Sequence, residues 1–393
     1  MNEFHPPFRI LLGPGPSDVH PRVLEVMSQS LLSHLDPVFV RIMDDVQEGL
    51  RSVFQTDSPM CIPISGTGTA GMETAMVNMI EPGDSVVVCS AGFFADRMAQ
   101  IAKCARGDVR IIQADPGQVI TPDQLKEAIQ KHRPKIVAFV HVETSTGIAQ
   151  PIEPLAELLR DDDIITIVDT VASLAGQPIH VTENALDFVY SGSQKCLSCP
   201  PGLAPVTLSE NATARLASRK VPPQSWYFDL SLLVQYWGQE RRYHHTAPIS
   251  MIYALREALR VIEEEGLDNR YRRHHRNHLA LVAGLEAMGL EMFVAPSLRS
   301  WTVNTVKVPP GIEDPAVRRA LLERYGIEIV GGLGELKGKI WRIGLMGHSS
   351  QRKNVILLIN ALEEILRELG YGATPGSGAG AALRSYRETD APL

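Results

Sequence analysis

Ile164-Ile165-Thr166-Ile167-Val168-Asp169 is an apolar, β-branched run that stops on a carboxylate, and Lys195 follows 26 residues later in the small-residue turn Ser191-Gly192-Ser193-Gln194-Lys195. β-Branched residues in so short a run favour a strand. A charge at its end then lies at the strand's carboxyl edge, where open α/β sheets bind ligands. Runs of the same kind recur at 61–65, 85–89, 109–113, 135–140, 188–191 and 204–208. Between them, 68–80, 93–105, 122–132 and 152–159 have helical spacing, and Pro122 after Thr121 marks a helix start. Alternation of this kind builds a mainly parallel sheet covered by helices. The fold class is therefore α/β, with a seven-stranded, mainly parallel sheet predicted for a large domain over 21–267.

A long helix at 250–265 and the break at Gly266 precede a change in composition. Residues 268–288 read as a helix rich in Arg and His, with short strands near 291–294, 303–308, 328–330 and 340–343 and helices at 315–325 and 352–369. These predict a smaller α+β domain over 268–370. Residues 1–20 read as an N-terminal arm and pocket segment. The Gly- and Ala-rich stretch 371–393 reads as a flexible tail, because it carries too little apolar surface to offset the entropy of ordering it.

With 393 residues, 44% hydrophobic and 21% charged, the chain can bury a substantial core. No apolar run approaches the roughly 18 residues of a membrane span. Met1-Asn2-Glu3-Phe4 lacks the basic and apolar stretches of a signal peptide, so a cytoplasmic location is expected. The net charge of -7 includes no basic tract, which excludes the electrostatic footprint of a nucleic-acid binder. Five cysteines, an odd number spread through a long chain, argue against a disulfide framework. Cys196-Leu197-Ser198-Cys199 has redox or zinc spacing, but with no second pair nearby these read as packed thiols, and no metal site is expected.

Gly66-Thr67-Gly68-Thr69-Ala70-Gly71 matches the dinucleotide-binding glycine pattern. That use requires an acidic residue at the end of the next strand, whereas 85–89 ends in Cys89-Ser90 and Asp84 precedes it. Backbone amides at a helix N-terminus suit a single phosphate equally well.

Phosphate, lysine and strand-end carboxylate together meet the needs of pyridoxal 5'-phosphate (PLP). Lys195 would hold the aldehyde and then, as a free amine, move the substrate proton. Asp169 would keep the pyridine nitrogen protonated. Phe94 would stack on the ring, Val171 would cover its other face and Ser173 would bond its phenolic side. Thr67, Gly68, Thr69 and Gln194 would donate to the phosphate, and Thr144 would offer a hydroxyl at a strand's carboxyl edge. Arg342, inside the apolar Lys339-Ile340-Trp341-Arg342-Ile343-Gly344, would clamp a substrate carboxylate.

The chain resembles the alanine:glyoxylate and serine:glyoxylate aminotransferases, class V PLP enzymes of fold type I, over about residues 9–370. The motifs that carry the resemblance are Leu11-Leu12-Gly13-Pro14-Gly15-Pro16-Ser17, Glu81-Pro82-Gly83-Asp84, Glu143-Thr144-Ser145-Thr146-Gly147, Val168-Asp169-Thr170-Val171-Ala172-Ser173, Ser191-Gly192-Ser193-Gln194-Lys195 and Tyr243-His244-His245-Thr246. The resemblance implies a homodimer in which Tyr243 and Thr246 reach the neighbouring subunit's PLP phosphate. It also implies that Gly13 lines the substrate pocket, with the residues before it forming an arm on the partner. Animal members have histidine at Thr69 and tryptophan at Phe94, so phosphate contact and stacking differ in strength here.

The implied reaction is ping-pong transfer of the amino group of alanine or serine to glyoxylate. The runner-up is a ureidoglycine:glyoxylate aminotransferase, which Leu35-Asp36-Pro37-Val38-Phe39 and Tyr236-Trp237-Gly238 also resemble. That enzyme carries amide side chains where this chain has His34 and Tyr243. Cysteine desulfurase chemistry is excluded, since no cysteine follows Cys199. An NAD-dependent oxidoreductase and a non-catalytic scaffold are the remote alternatives. Ala391-Pro392-Leu393 does not resemble a peroxisomal signal.

Overall fold

The computed structural model describes residues 5–160 and 163–390. Residues 1–4 and Ala391-Pro392-Leu393, on which the targeting expectations rest, lie outside that range. A seven-stranded sheet runs from Cys61–Ser65 through Leu203–Leu208, Phe188–Tyr190, Ile165–Asp169, Ile136–Val140 and Ser85–Ser90 to Asp108–Gln113. Leu203–Leu208 is antiparallel to both neighbours, and the other pairings are parallel. Strands buried on both faces read as unbroken apolar runs. That is why Ile136–Val140 and Ile165–Asp169 are buried at every residue and were visible in the sequence.

The helices start where their first residues dictate. Pro122–His132 opens with a capping box, in which the Thr121 hydroxyl accepts from Gln124 N–H while the Gln124 side chain accepts from Thr121 N–H. Pro37–Phe54, to which no helix was assigned above, has Asp36 as its cap and Pro37 in its first turn, and buries Phe39, Met43, Val46 and Leu50.

A second core, separate from the one around the large sheet, gathers Trp341, Ile343, Leu358 and Leu362 around the three-stranded sheet Val303–Lys307, Ile340–Gly344, Val330–Gly331. The expected strand near 291–294 is reduced to an isolated bridge between Met292 and Val306. Ile10–Leu11 pairs in parallel with Ile327–Glu328, and Leu12 is buried in this second core. Residues 10–12 are thus part of their own chain's small unit rather than of an arm, because their backbone finds a strand edge and Leu12 an apolar site there. Phe8, before them, is 83% exposed.

The expected flexible tail is also corrected: Ser377–Asp390 is a helix. Ala382 and Tyr386 are buried, and the Tyr386 hydroxyl donates to Asn277 Oδ1 at 2.6 Å. Glu363 accepts from the N–H groups of Gly376 and Gly378 at 2.6 and 3.2 Å, satisfying the start of the helix. Small residues act here by close approach, since a Cβ on Gly378 would fall 2.7 Å from Ile359 Cγ2 and 2.9 Å from Met288 Cγ. Gly378→Leu is therefore expected to cost about 1–3 kcal/mol through overpacking. An unfolding midpoint equal to that of the wild type would refute this packing.

Candidate active site

The carboxyl edge of the sheet opens on a cavity of about 150 Å3. Thr67, Gly68 and Thr69 reach it from the turn after Cys61–Ser65, Phe94 from the start of the helix Phe93–Cys104, and Thr144 from the loop after Ile136–Val140. Asp169 and Val171 enter from the end of Ile165–Asp169, and Gln194 and Lys195 from the turn after Phe188–Tyr190. Met72, Val140 and Arg97, not singled out by any motif, complete the wall.

Asp169 is 3% exposed, and its two oxygens accept from Val171 N–H and the Tyr190 hydroxyl, each at 2.8 Å. Tyr190 stands opposite Asp169 in the strand register, which is how it reaches that oxygen. Burial pushes the Asp169 carboxyl up to about 6 against these two hydrogen bonds; the Glu143 charge adds to the rise and Lys195 opposes it. A carboxylate desolvated to this degree calls for a cationic partner. Lys195 is 8% exposed and donates from Nζ to the Pro14 carbonyl. Burial pulls its amine down to about 8, within reach of the neutral, proton-accepting form. Gly15, with φ +113°, passes so close that a Cβ would fall 2.5 Å from Lys195 Nζ.

Thr67 caps the helix Gly68–Met79 without a side-chain hydrogen bond; Ala70 N–H donates to Thr67 O at 2.7 Å, and the Gly68 and Thr69 amides ahead of it are the ones left to serve the cavity. Gln194 Oε1 is buried and accepts no hydrogen bond among the described residues. Arg97 Nη1 donates to Thr69 Oγ1 at 3.2 Å, and its guanidinium lies 5.0 Å from the Phe94 ring centroid. The signal was present as spacing, because residues three apart share a helix face.

Arg342 and Gly13 are not walls of this cavity but adjoin it. Arg342 donates from Nε to Gly331 O at 2.8 Å and from Nη1 to Thr144 O at 3.0 Å. Gly13 O lies against the same strand, 2.0 Å from where a Cβ on Gly344 would be. Ser173 is turned toward His141, with Oγ 2.9 Å from Nδ1, and does not line the cavity. Nor do Tyr243, 56% exposed, or Thr246, which lie 3.5 Å apart through their hydroxyls on an outer face.

The features left as alternatives are occupied otherwise. Cys196 and Cys199 are buried thiols, and burial pushes Cys196 up to about 11. His244 Nδ1 faces His245 Nδ1 at 2.9 Å, and His245 Nε2 faces Ser65 Oγ at 2.7 Å. Asp84 is held by Lys135 at 2.7 Å and by Arg215 at 2.5 Å, before its strand begins. Among the described residues no helix is long and apolar enough to cross a membrane.

An amine and a desolvated carboxylate facing one small cavity, an aromatic ring on its wall and helix amides at its end are together the donor set that fits PLP. Fold and site define a PLP-dependent enzyme of the α/β class. The class V aminotransferase family matches residues 10–339, and the chain belongs to it. It is 41% identical to the alanine–glyoxylate aminotransferase of Callithrix jacchus, over 92% of this chain and 88% of that one. The structure of the Bacillus subtilis ureidoglycine–glyoxylate aminotransferase superposes with a TM-score of 0.96 at 41% identity, covering 98% of this chain and all of that one (100%). The alanine–glyoxylate aminotransferase of Nostoc superposes at 0.92 with 48% identity, covering 93% and 97%. The protein is an aminotransferase, and PLP is its cofactor.

The folded-state pKa of Asp169 stands above its ordinary value of 3.8, so between about 4 and 6 the folded protein binds more protons than the unfolded chain. Cofactor-free protein should therefore lose stability from this group as pH rises through that window. Asp169→Asn should flatten this part of the profile. Denaturant midpoints measured across the window for both proteins check it, and identical slopes would refute it.

Proposed function

We propose that this aminotransferase moves the amino group of a small amino acid, alanine or serine, to glyoxylate in a ping-pong cycle. The products are glycine and pyruvate or hydroxypyruvate. The observation that carries the reading is the convergence of Lys195 and Asp169 on one cavity whose wall residue Thr144 is gripped by Arg342. PLP, when bound, supplies the electron sink for the charge left on the substrate Cα.

The chain's own residues do the rest. Lys195 carries the proton to and from Cα, a task suited to an amine whose pKa burial has lowered to about 8. Asp169 holds positive charge at the ring nitrogen, and Phe94 and Val171 cover the ring faces; Ser173, turned toward His141, is left out of the site. Thr67, Gly68, Thr69 and Gln194 take the phosphate. Arg342 clamps the substrate carboxylate beside Thr144 and the Gly13 backbone. Tyr243 and Thr246, exposed on their own subunit, complete the phosphate site of a neighbour, which makes the working unit a homodimer. A cytoplasmic location belongs to the same proposal.

A second reading has specific support. The Bacillus ureidoglycine–glyoxylate aminotransferase matches nearly the whole chain at a TM-score of 0.96, which favours ureidoglycine as donor. Against it, His34 and Tyr243 pair their rings at 5.0 Å, where that reading calls for amides to bond the ureido group.

Lys195→Ala is expected to lower kcat by about a hundred- to ten-thousandfold, as loss of a positioned proton carrier does. Arg342→Gln should act mainly on donor KM, by about tenfold or more, since one charge-assisted pair is lost. Steady-state rates with glyoxylate and a panel of alanine, serine and ureidoglycine test both the residues and the donor. A Lys195→Ala enzyme with full turnover would sink the mechanism, and a strong preference for ureidoglycine would replace the donor assignment.

A further inference from the structure

Glu143 is buried at 1% exposure, and the reaction outlined above gives it no task. Its Oε2 accepts from Phe94 N–H at 3.1 Å and Ala95 N–H at 3.2 Å, and its Oε1 accepts from Ser145 N–H at 3.1 Å and the Ser145 hydroxyl at 2.7 Å. The Ser145 hydroxyl in turn accepts from Phe93 N–H at 3.1 Å. The helix Phe93–Cys104 has Gly92 at its cap position, with no side chain to satisfy its first amides. Glu143, some fifty residues away in the chain, supplies the missing acceptor, and its negative charge complements the helix N-terminus. Approach is close, since a Cβ on Gly92 would fall 2.5 Å from Ser145 Oγ and 2.6 Å from Glu143 Cγ. Burial outweighs the hydrogen bonds from Ser145, Ala95 and Phe94 and raises the Glu143 pKa, although each of those donors favours the carboxylate.

The same short loop holds Arg342. Thr144 O accepts from Arg342 Nη1 at 3.0 Å, and Thr146 O accepts from the Thr305 hydroxyl at 2.8 Å, on the strand paired with that of Arg342. The first residue of the loop thus fixes the turn that bears Phe94, and the next fixes the guanidinium. We propose that Glu143 is a positioning residue that sets the spacing between the ring-stacking Phe94 and the carboxylate-binding Arg342, and so the fit of both cofactor and donor. This rests on the roles proposed above for Phe94 and Arg342.

The test uses PLP titrated into cofactor-stripped protein, together with donor KM and kcat of the holoenzyme, for the wild type, Glu143→Gln, Phe94→Ala and the double variant. Glu143→Gln keeps the shape but turns an NH2 group toward backbone N–H donors. It should raise the PLP Kd and the donor KM by about tenfold each, with kcat less affected, the scale of a lost charge-assisted hydrogen bond. Because Glu143 acts through Phe94, adding Glu143→Gln to Phe94→Ala should weaken PLP by no more than about a further twofold. A Glu143→Gln protein with wild-type PLP affinity and donor KM, or effects of the two substitutions that multiply, would overturn the proposal. If Phe94→Ala leaves PLP affinity unchanged, the stacking role of Phe94 fails first and this inference falls with it. If Glu143→Gln does not fold, Ser145→Ala decides. It removes one bond from each partner and should raise both constants by about threefold, and no change in either overturns the proposal.

Discussion

The burial of one negative charge organises this molecule. Asp169 ends a strand whose residues are all buried, and its carboxyl is held by one backbone amide and one tyrosine hydroxyl. Two neutral donors do not offset desolvation, so the group titrates near 6 rather than near 4. The site around it answers that demand. Tyr190 comes from the next strand in register, Lys195 from the turn beyond it, and Phe94 from the far side of the sheet edge. Remove the carboxylate and the cavity wall keeps the cations Lys195 and Arg97 but no acid.

A second constraint is that the cavity and Arg342 belong to different cores. The cavity is bounded by loops of the seven-stranded sheet, whereas Arg342 stands on the small sheet. Their alignment is maintained by a loop of five residues, Glu143-Thr144-Ser145-Thr146-Gly147, which bonds to both sides through its side chains and its carbonyls. The placement of the guanidinium relative to the cavity therefore depends on the backbone carbonyls of Gly331 and Thr144.

What the sequence disclosed follows from how far each feature reaches. The central strands were legible because each is a continuous apolar run, and Lys195 and Asp169 because a charge in such surroundings is conspicuous. Arg97 is marked only by its three-residue spacing from Phe94, and Glu143 carries no such mark. Their partners lie 28 and 49 positions away, and only the folded sheet edge brings them together. The C-terminal helix was misread because composition measures apolar area, while Gly378 and Ala382 contribute by letting backbones approach. Tyr243 and Thr246 gained a meaning only from family resemblance, since on their own subunit they sit on an outer face away from the cavity.

The N-terminal strand has a bearing on the order of assembly. Leu12 N–H donates to Glu328 O at 2.9 Å, Gly344 N–H donates to Leu12 O at 2.8 Å, and the Ser17 hydroxyl donates to Lys195 O at 2.7 Å. Residues 12–17 are thus clamped between a lysine some 180 positions later and strands more than 300 positions later. Closing such distant contacts is slow, and it waits on the ribosome. The large sheet can form while the rest is still being made, but the wall behind Lys195 is complete only when the last third of the chain has emerged. A nascent chain therefore lacks a finished lysine pocket until the strands that carry Glu328 and Gly344 have been made.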